Sequence, residues 1–399
     1  MRFYEFESKQ ILKKFGVPIP DGQIAYNPEE AGRIFQSLKQ EVVIKAQVLS
    51  GGRMKAGGVK FADNLEEVKK VTKEIMNITI NNLKPIGVIV EPKSAIEQEY
   101  YAAVTWDGVA KKPVVIFSDM GGIDIEEVAE KHPEHLSRTH LPNLRPASDY
   151  HAKLAVSNVG ISGRDLGQLS RILKKLIDIF IEYDLTLSEI NPIAKLADGN
   201  FIALDGHMDM ESEAKNVHAA LLKDLNIDIE DNRQSRPPTE FEISGALVDA
   251  QDTRGVAGNV TEFDGNLGLI IGAGGGSLTL FDAVRNAGGN PANYCEIGGN
   301  PSVKKTADLT KLIVTKPGVD KIAVMMNVVS NTRVDVVARG VIKGVIDAGF
   351  EPKDKIAIFR IPGSWEEEGF KILDKYGVEY VDRSVSMFEA ANRAVQKMQ

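Results

Sequence analysis

The chain has 399 residues, 43% hydrophobic and 26% charged, with a formal net charge of −8. That is room for two or three domains with ordinary globular cores, and the acidic balance excludes nucleic acid as a main partner, since a phosphate backbone selects basic surfaces. Cys295 is the one cysteine, so no internal disulfide forms, the start MRFYEFESKQ carries neither a signal-peptide core nor a transit peptide, and no apolar run approaches the ~20 residues that span a bilayer. The expectation is a soluble cytoplasmic protein (mitochondrial matrix if the source is eukaryotic), with no membrane partner.

Residues 6–15 carry apolar side chains at helical spacing and stop at Gly16, with Pro18 and Pro20 beyond, which predicts a helix. Residues 42–48 predict a strand, followed by a glycine-rich loop and a second strand at 59–61. Residues 86–90 predict a strand that runs directly into Glu91. Segments 100–106 and 113–117 flank Asp107-Gly108 and predict a hairpin. A long amphipathic helix is predicted over 165–183, and strands at 185–193 and 201–204 bracket a turn at Asp198-Gly199. Residues 227–242 are polar, contain Pro237-Pro238 and predict an interdomain linker. Beyond it, strands are predicted near 267–271, 293–296, 322–326, 356–359 and 379–381, each followed by a helical segment. Such alternation predicts a parallel doubly wound sheet.

The first of these later strands runs through LGLIIGAGGGSLTLFDAV, where Gly272, Gly274, Gly275 and Gly276 lead into Ser277 and a helical pattern. Glycines let a backbone approach an anion, and the free N–H groups of a helix start stabilise negative charge. Gly272-x-Gly274, with Glu296 about twenty residues beyond Gly276, also carries part of a dinucleotide fingerprint, broken by Ser277 at its sixth position. Taken alone, the loop is compatible with a dinucleotide, with another phosphate, or with a plain strand–helix turn.

Three constellations in the first half bear on that choice. VVIKAQVLSGGRMKAGGVKF sets Lys45 in a strand and frames Arg53 and Lys55 with Gly51, Gly52, Gly57 and Gly58. It reads as a glycine hairpin able to fold over a nucleotide above a fixed cation, or as a basic surface hairpin. In LSEINPIAKLADGNFIALDG, alternation places Leu187, Glu189 and Asn191 on one strand face; a three-residue loop at 197–199 would set Asn191 opposite Asp205, with Cβ atoms about 5 Å apart, whereas a two-residue loop would shift the register by one, and a plain solvated hairpin is the alternative. Two oxygen ligands at that spacing suit Mg2+, which takes few protein carboxylates and completes its shell with phosphate and water. In VIVEPKSAIEQEYYAAV, Glu91 ends a strand, where its carboxylate could accept from an adenine amine or ribose hydroxyl, and Glu99 begins the next; both also fit as solvated strand-end acids.

Together these residues resemble the nucleotide-binding (β) subunit of the succinate–CoA ligase group, which includes malate–CoA ligase, citryl-CoA synthetase and the matching part of ATP-citrate lyase. The resemblance runs over the whole chain and is carried by FESKQILKKFGVPIPDG, KAQVLSGGRMKAGGVK, GGIDIEEVAE, SEINP and LDG. It implies an α/β protein with an ATP-grasp nucleotide-binding domain over 1–230 (a lid subdomain at about 20–100), a linker over 231–242, and a flavodoxin-like doubly wound CoA-ligase domain over 243–399. It further implies that Lys45, Gly52, Arg53, Met54, Glu91, Ser94 and Glu99 hold ATP, with Pro20 near the base, and that Asn191 and Asp205 hold Mg2+. Glu189 would steady a phosphohistidine belonging to an α-type partner subunit, which also carries the CoA site. None of the six histidines of this chain sits in a matching motif. The glycine cluster Gly272, Gly274, Gly275, Gly276 and Ser277 becomes, on this resemblance, the seat of a phosphoryl group travelling from phosphohistidine to acyl phosphate. The reaction implied is ATP + acid + CoA = ADP + phosphate + acyl-CoA.

Departures from the family pattern concentrate at the acid site. Met54 stands where a glycine is usual. Ile271 precedes the glycine cluster where succinate-type members carry asparagine, and VVSNTRVD replaces a GGIV-like loop. Ser330, Asn331, Thr332 and Arg333, with Gly298 and Gly299 of EIGGNPS, then form an acid site richer in donors, which favours citrate or another hydroxy acid over succinate. A site built to hydrogen-bond hydroxyls rejects an analogue lacking them. Two other classes compete: an NAD-dependent oxidoreductase using the C-terminal glycine loop, which the Mg2+ hairpin and glycine flap disfavour, and a non-catalytic nucleotide-sensing subunit, which the intact ligand set disfavours.

Overall fold

The computed structural model describes residues 1–143, 146–228, 233 and 236–398, in two compact units, Met1–Pro237 and Pro238–Gln399. The first unit opens with α1 (Glu5–Lys14), whose first turn is closed by the Glu7 carboxylate accepting the Tyr4 N–H at 2.8 Å. An antiparallel sheet follows in the order β1-β4-β2-β3, from β1 (Gln23–Ala25), β2 (Val42–Gln47), β3 (Val59–Ala62) and β4 (Gly87–Pro92). Helices α2 (Pro28–Leu38) and α3 (Leu65–Asn77) pack on it, each started by an asparagine, Asn27 or Asn64, whose side chain accepts a backbone N–H three residues on. Val42, Ile44, Val88 and Val90 meet Val68, Val71 and Ile75 in a separate small core.

The larger sheet of this unit runs β10-β8-β5-β6-β7, with β9 paired to β8. Its strands are β5 (Ile96–Asp107), β6 (Lys112–Ser118), β7 (Leu136–His140), β8 (Leu185–Leu196), β9 (Phe201–Ala203) and β10 (His207–Met210). Helix α4 (Ile125–Lys131) follows β6, and α5 (Asp149–Ser157), α6 (Gly163–Glu182) and α7 (Ala219–Asp224) complete the unit. Along α6, Leu169, Ile172, Leu173, Leu176, Ile177 and Phe180 are buried as a stripe at three- and four-residue steps. Each such side chain contributes roughly 1.5–3 kcal/mol of burial.

The second unit begins with α8 (Glu240–Ala250), so the polar segment expected to be linker is already helical from Glu240. The reason is local: Thr239 and Glu242 form a reciprocal capping box, the Glu242 N–H donating to Thr239 Oγ1 at 3.3 Å and the Thr239 N–H to Glu242 Oε2 at 3.0 Å. Of the polar segment 227–242, residues 229–232, 234 and 235 lie outside the described residues. Then come β11 (Val256–Glu262), β12 (Leu267–Gly272), α9 (Gly275–Asn286), β13 (Asn293–Gly298), α10 (Val303–Val314), β14 (Lys321–Met325), α11 (Val334–Asp347), α12 (Pro352–Lys355), β15 (Ile356–Arg360), α13 (Glu366–Lys375) and α14 (Met387–Gln396).

The sheet order is β11-β13-β12-β14-β15. Strands β13, β12, β14 and β15 are parallel, and β11, which the spacing did not predict, is an antiparallel edge. The chain leaves β12 to one side for β13 and returns to the other for β14, so the topological switch lies between β12 and β14, where doubly wound folds bind ligands. The strand expected at 379–381 is not formed: Tyr380 makes a single bridge to Phe359 and stacks on Phe370 at 4.3 Å. Gly377 at φ +62 and the Asp382 turn, which accepts the Ser384 N–H at 2.8 Å, leave too short a run for a ladder. Among the described residues no helix is long and apolar enough to cross a membrane.

Candidate functional site

Pairing of β2 with β4 sets Lys45 against Ile89 and Val43 against Glu91, so period-two alternation brings the Lys45 and Glu91 side chains to one face. Lys45 Nζ lies 3.0 Å from Glu91 Oε2 and 3.1 Å from Glu5 Oε1, and donates to the Leu204 carbonyl at 2.5 Å. Lys9 Nζ reaches Glu5 at 2.8 Å and Glu91 at 2.5 Å. Arg53 comes in from the 48–58 loop and bonds both Glu5 and Asp205. Three cations thus meet three carboxylates in one contiguous cluster, with the Glu5 and Glu91 side chains only 2% exposed.

Burial alone would raise the Glu5 carboxyl; Lys45, Lys9 and Arg53 override it and hold the group well below the usual carboxylate range. Burial would likewise discharge Lys45 and Arg53, but the facing carboxylates keep both firmly protonated. Gly52 (φ +75) and Gly57 (φ +77) supply the left-handed turns that let the loop carry Arg53 inward. Met54, in the same loop, is 74% exposed.

Next to the cluster lies a cleft of about 300 Å³ lined by Lys9, Lys13, Pro20, Ile24, Ile89 and Glu91. Glu91 Oε2 is buried there, ion-paired with Lys45 at 3.0 Å and with no further donor on it. A Cβ on Gly22 would come within 2.3 Å of Glu91 Cγ, so a glycine lets the segment leading into β1 pass the carboxylate. Ser94 is half-buried in the connection from β4 to β5. The Glu99 carboxylate packs on Gly122 (φ +73), where it would sit 2.1 Å from an added Cβ.

Strand β8 pairs β9 at Ile193↔Ala203, and the Leu204 N–H donates to the Pro192 carbonyl at 3.0 Å. Continued by one step, this register sets Asn191 against Asp205. Asn191 Oδ1 accepts the Gly122 N–H at 2.8 Å, while Asp205 accepts the Gly206 N–H at 2.7 Å and the Arg53 guanidinium. These are hard oxygen donors of the kind Mg2+ takes, and no cluster of three or more His, Cys, Asp or Glu able to hold a metal occurs among the described residues. Asn191 Oδ1 and the Asp205 carboxylate are the oxygens that would hold such a metal, with phosphate and water completing its shell. Glu189, in register with Ala103 and His207, accepts from Tyr101 Oη at 2.9 Å. Burial pushes its carboxyl upward, against the Tyr101 hydrogen bond and His207.

In the second unit, α9 starts behind Gly274 at φ +87, and a Cβ on Gly274 or Gly275 would meet nothing within 4 Å. Nothing packs where side chains at these two positions would stand, and a helix start of this kind suits an anion. At Gly272 a Cβ would press on Met326 at 2.9 Å, whereas Gly276 faces Asn327 at an ordinary 3.6 Å across the β12–β14 switch. Ser277 is not a free donor: its N–H goes to the Gly274 carbonyl at 2.9 Å, and its buried hydroxyl lies 2.7 Å from Tyr294 Oη and 2.8 Å from Glu296 Oε1. It braces the turn from beneath. Tyr294 also donates to Glu296 at 2.5 Å, and burial, helped by that hydrogen bond, pushes its phenol up to about 12. Glu296, the acid a dinucleotide reading needs for a ribose, is engaged inside its own domain.

Gly298 would clash with Ala273 at 2.9 Å if it bore a Cβ, and Gly299 is left-handed at φ +64, so the 298–302 turn abuts the glycine cluster. Ser330 and Asn331 are exposed. Thr332 is only 3% exposed, and its oxygen accepts the Asn300 N–H at 3.2 Å. Arg333 forms a two-bond pair with Asp335 at 3.0 and 2.8 Å and stacks on Trp365 with its guanidinium 4.1 Å from the ring centre. Of the four loop residues expected to read the acid, Ser330 and Asn331 therefore stand open, while Thr332 and Arg333 are held by the protein. Sequence reading missed Glu5, Lys9 and Asn300.

Residues 2–195 match the ATP-grasp domain family. The chain is 33% identical to a succinate–CoA ligase [ADP-forming] subunit β of Methanocaldococcus jannaschii over 399 residues, covering 100% of both chains. It is 34% identical over 398 residues to the protein of the same name from Desulfurococcus amylolyticus, covering 99% of this chain and 98% of that one. Among solved structures, ATP citrate lyase from Methanothrix soehngenii, in complex with citrate and coenzyme A, is similar in fold, with TM-score 0.64 at 19% identity and 99% of each chain covered.

Proposed function

Because the chain belongs to the family of ADP-forming succinate–CoA ligase β subunits, we propose that it is the nucleotide-binding subunit of a carboxylate–CoA ligase that converts ATP, an acid and CoA to ADP, phosphate and acyl-CoA. The observation that carries the proposal is the buried cluster in which Lys45 and Arg53 are held beside Glu91 and Asp205, next to the 300 Å³ cleft. Lys45 and Arg53 bind the phosphates of ATP, and Glu91, whose Oε2 has no donor beyond Lys45, accepts from the nucleoside. Asn191 and Asp205 hold Mg2+, which when bound neutralises phosphate charge. The phosphoryl group passes to a histidine of an α-type partner, steadied by Glu189, and then to the acid. The open N-terminus of α9 at Gly274 and Gly275 receives it as an acyl phosphate, from which CoA thiolate displaces phosphate. Phosphoryl transfer needs mainly positioning and charge stabilisation, which these groups supply.

The acid is read by Ser330 and Asn331, whose hydroxyl and amide suit a hydroxy acid such as citrate or malate over succinate. The test is CoA-dependent ADP release by this chain co-expressed with its α partner, across succinate, malate and citrate. A higher kcat/KM for citrate or malate is expected. A clear preference for succinate would remove the specificity assigned to Ser330 and Asn331, and no ADP release with any acid would remove the ligase reading itself.

A further inference from the structure

Asn300 occupies the turn after β13 in the left-handed region, at φ +57, a conformation that asparagine and glycine tolerate better than other residues. In that pose one residue offers a donor and an acceptor to consecutive positions of the neighbouring loop. Its N–H donates to Thr332 Oγ1 at 3.2 Å, and its Oδ1 accepts the Arg333 N–H at 3.3 Å. Its carbonyl accepts from Arg254 Nε at 3.2 Å, which holds the turn from the other side. Thr332, its oxygen already accepting from Asn300, turns its own hydrogen toward Asn331 Oδ1 at 3.4 Å. With Oδ1 so engaged, the Asn331 amide has its NH2 end left to offer, a donor toward any anion or hydroxyl oxygen that arrives.

From this chain of bonds we propose that Asn300 is a positioning residue for acid recognition: it sets the 328–333 loop and, through Thr332, fixes which end of the Asn331 amide faces the substrate. The inference rests on the reading of Ser330 and Asn331 as the acid-contacting pair. Asn300 itself touches no substrate; the loop it clamps does. The assignment also explains why the Thr332 hydroxyl is buried beside the exposed Ser330 and Asn331.

The test uses the αβ holoenzyme and compares Asn300→Gly, which keeps the left-handed backbone and the N–H but removes the Oδ1 acceptor, with Thr332→Val and Thr332→Ser. Asn300→Gly and Thr332→Val are each expected to raise the KM for the acid about tenfold, the scale of one lost hydrogen bond, with the KM for ATP unchanged. Thr332→Ser keeps the hydroxyl and stays within about twofold of the parent. A thermal melt of each variant checks folding, because a merely structural role would lower the melting temperature without singling out the acid. Unchanged acid KM in Asn300→Gly, or an equal rise for acid and ATP, overturns the proposal. A Ser330→Ala/Asn331→Ala double variant separates the two levels. If it leaves the acid KM unchanged, the loop reading falls and this inference with it; if it raises the acid KM while Asn300→Gly does not, the Asn300 assignment alone fails.

Discussion

Glu5→Ala is expected to destabilise the first unit by about 3–5 kcal/mol, the scale for breaking a buried ion cluster by removing one partner. Glu5 contacts Lys9, Lys45 and Arg53, and its loss leaves three buried cations facing only Glu91 and Asp205. The chain has two tryptophans, Trp106 in the first unit and Trp365 in the second. Urea unfolding followed by Trp106 fluorescence in a Trp365→Phe background therefore reads the first unit alone. The pH dependence has a definite sign. Because the folded Glu5 carboxyl is held below its usual range, its stabilisation is complete above an unfolded value of about 4.3 and fades as the pH falls through the folded value. Glu5→Gln should accordingly cost most near neutrality and progressively less in acid. A Glu5→Ala protein with the parent's urea midpoint at pH 7 would mean the cluster contributes nothing net.

Asp205→Asn is expected to lower kcat/KM for MgATP by about 10²–10³, the scale of removing one group that stabilises charge in the transition state. The acid KM should not move. The same substitution should have the opposite effect without metal. Asp205 is one of the two carboxylates that Arg53 bonds, the other being Glu5, so its neutralisation removes one of the guanidinium's two ionic holds and makes it easier for phosphate to engage. ATP affinity measured by calorimetry in EDTA is expected to rise severalfold in Asp205→Asn. If affinity fell equally with and without Mg2+, Asp205 would be a packing residue and not a metal ligand.

Much of this was legible in the residues because it rests on short-range rules. Alternation along β8 and the length of the 197–199 turn set Asn191 against Asp205, and the strand–helix rhythm after residue 267 laid out β12 to β15. Glu5 and Lys9 were missed for a physical reason. Charged residues one turn apart on a short helix read as a solvated pair, and only the approach of β2, β4 and Arg53 buries them. A weak signal was present, since they share a helix face with Leu12, which is wholly buried. Ser277 and Thr332 show the converse: their types suited a ligand, but the neighbours that engage them, Glu296 and Asn300, come from separate segments. Residues 379–381 had the composition of a strand, and turns close on both sides cut the ladder to one bridge.

On the proposed assignment of this cluster to ATP, its neutrality also bears on how the nucleotide arrives. Lys9, Lys45 and Arg53 are matched by Glu5, Glu91 and Asp205 within the protein itself, and the chain as a whole carries a formal charge of −8. Beyond a Debye length of about 8 Å at physiological salt, such a site casts almost no positive field to draw in a polyanion. Capture is then governed by random collision and orientation, not by steering, so the association rate should be slow among nucleotide sites and nearly indifferent to ionic strength. The cations act only at contact range, once phosphate oxygens begin to replace carboxylate oxygens around them, which makes the exchange of partners inside the pocket, rather than the encounter outside it, the step that discriminates one anion from another.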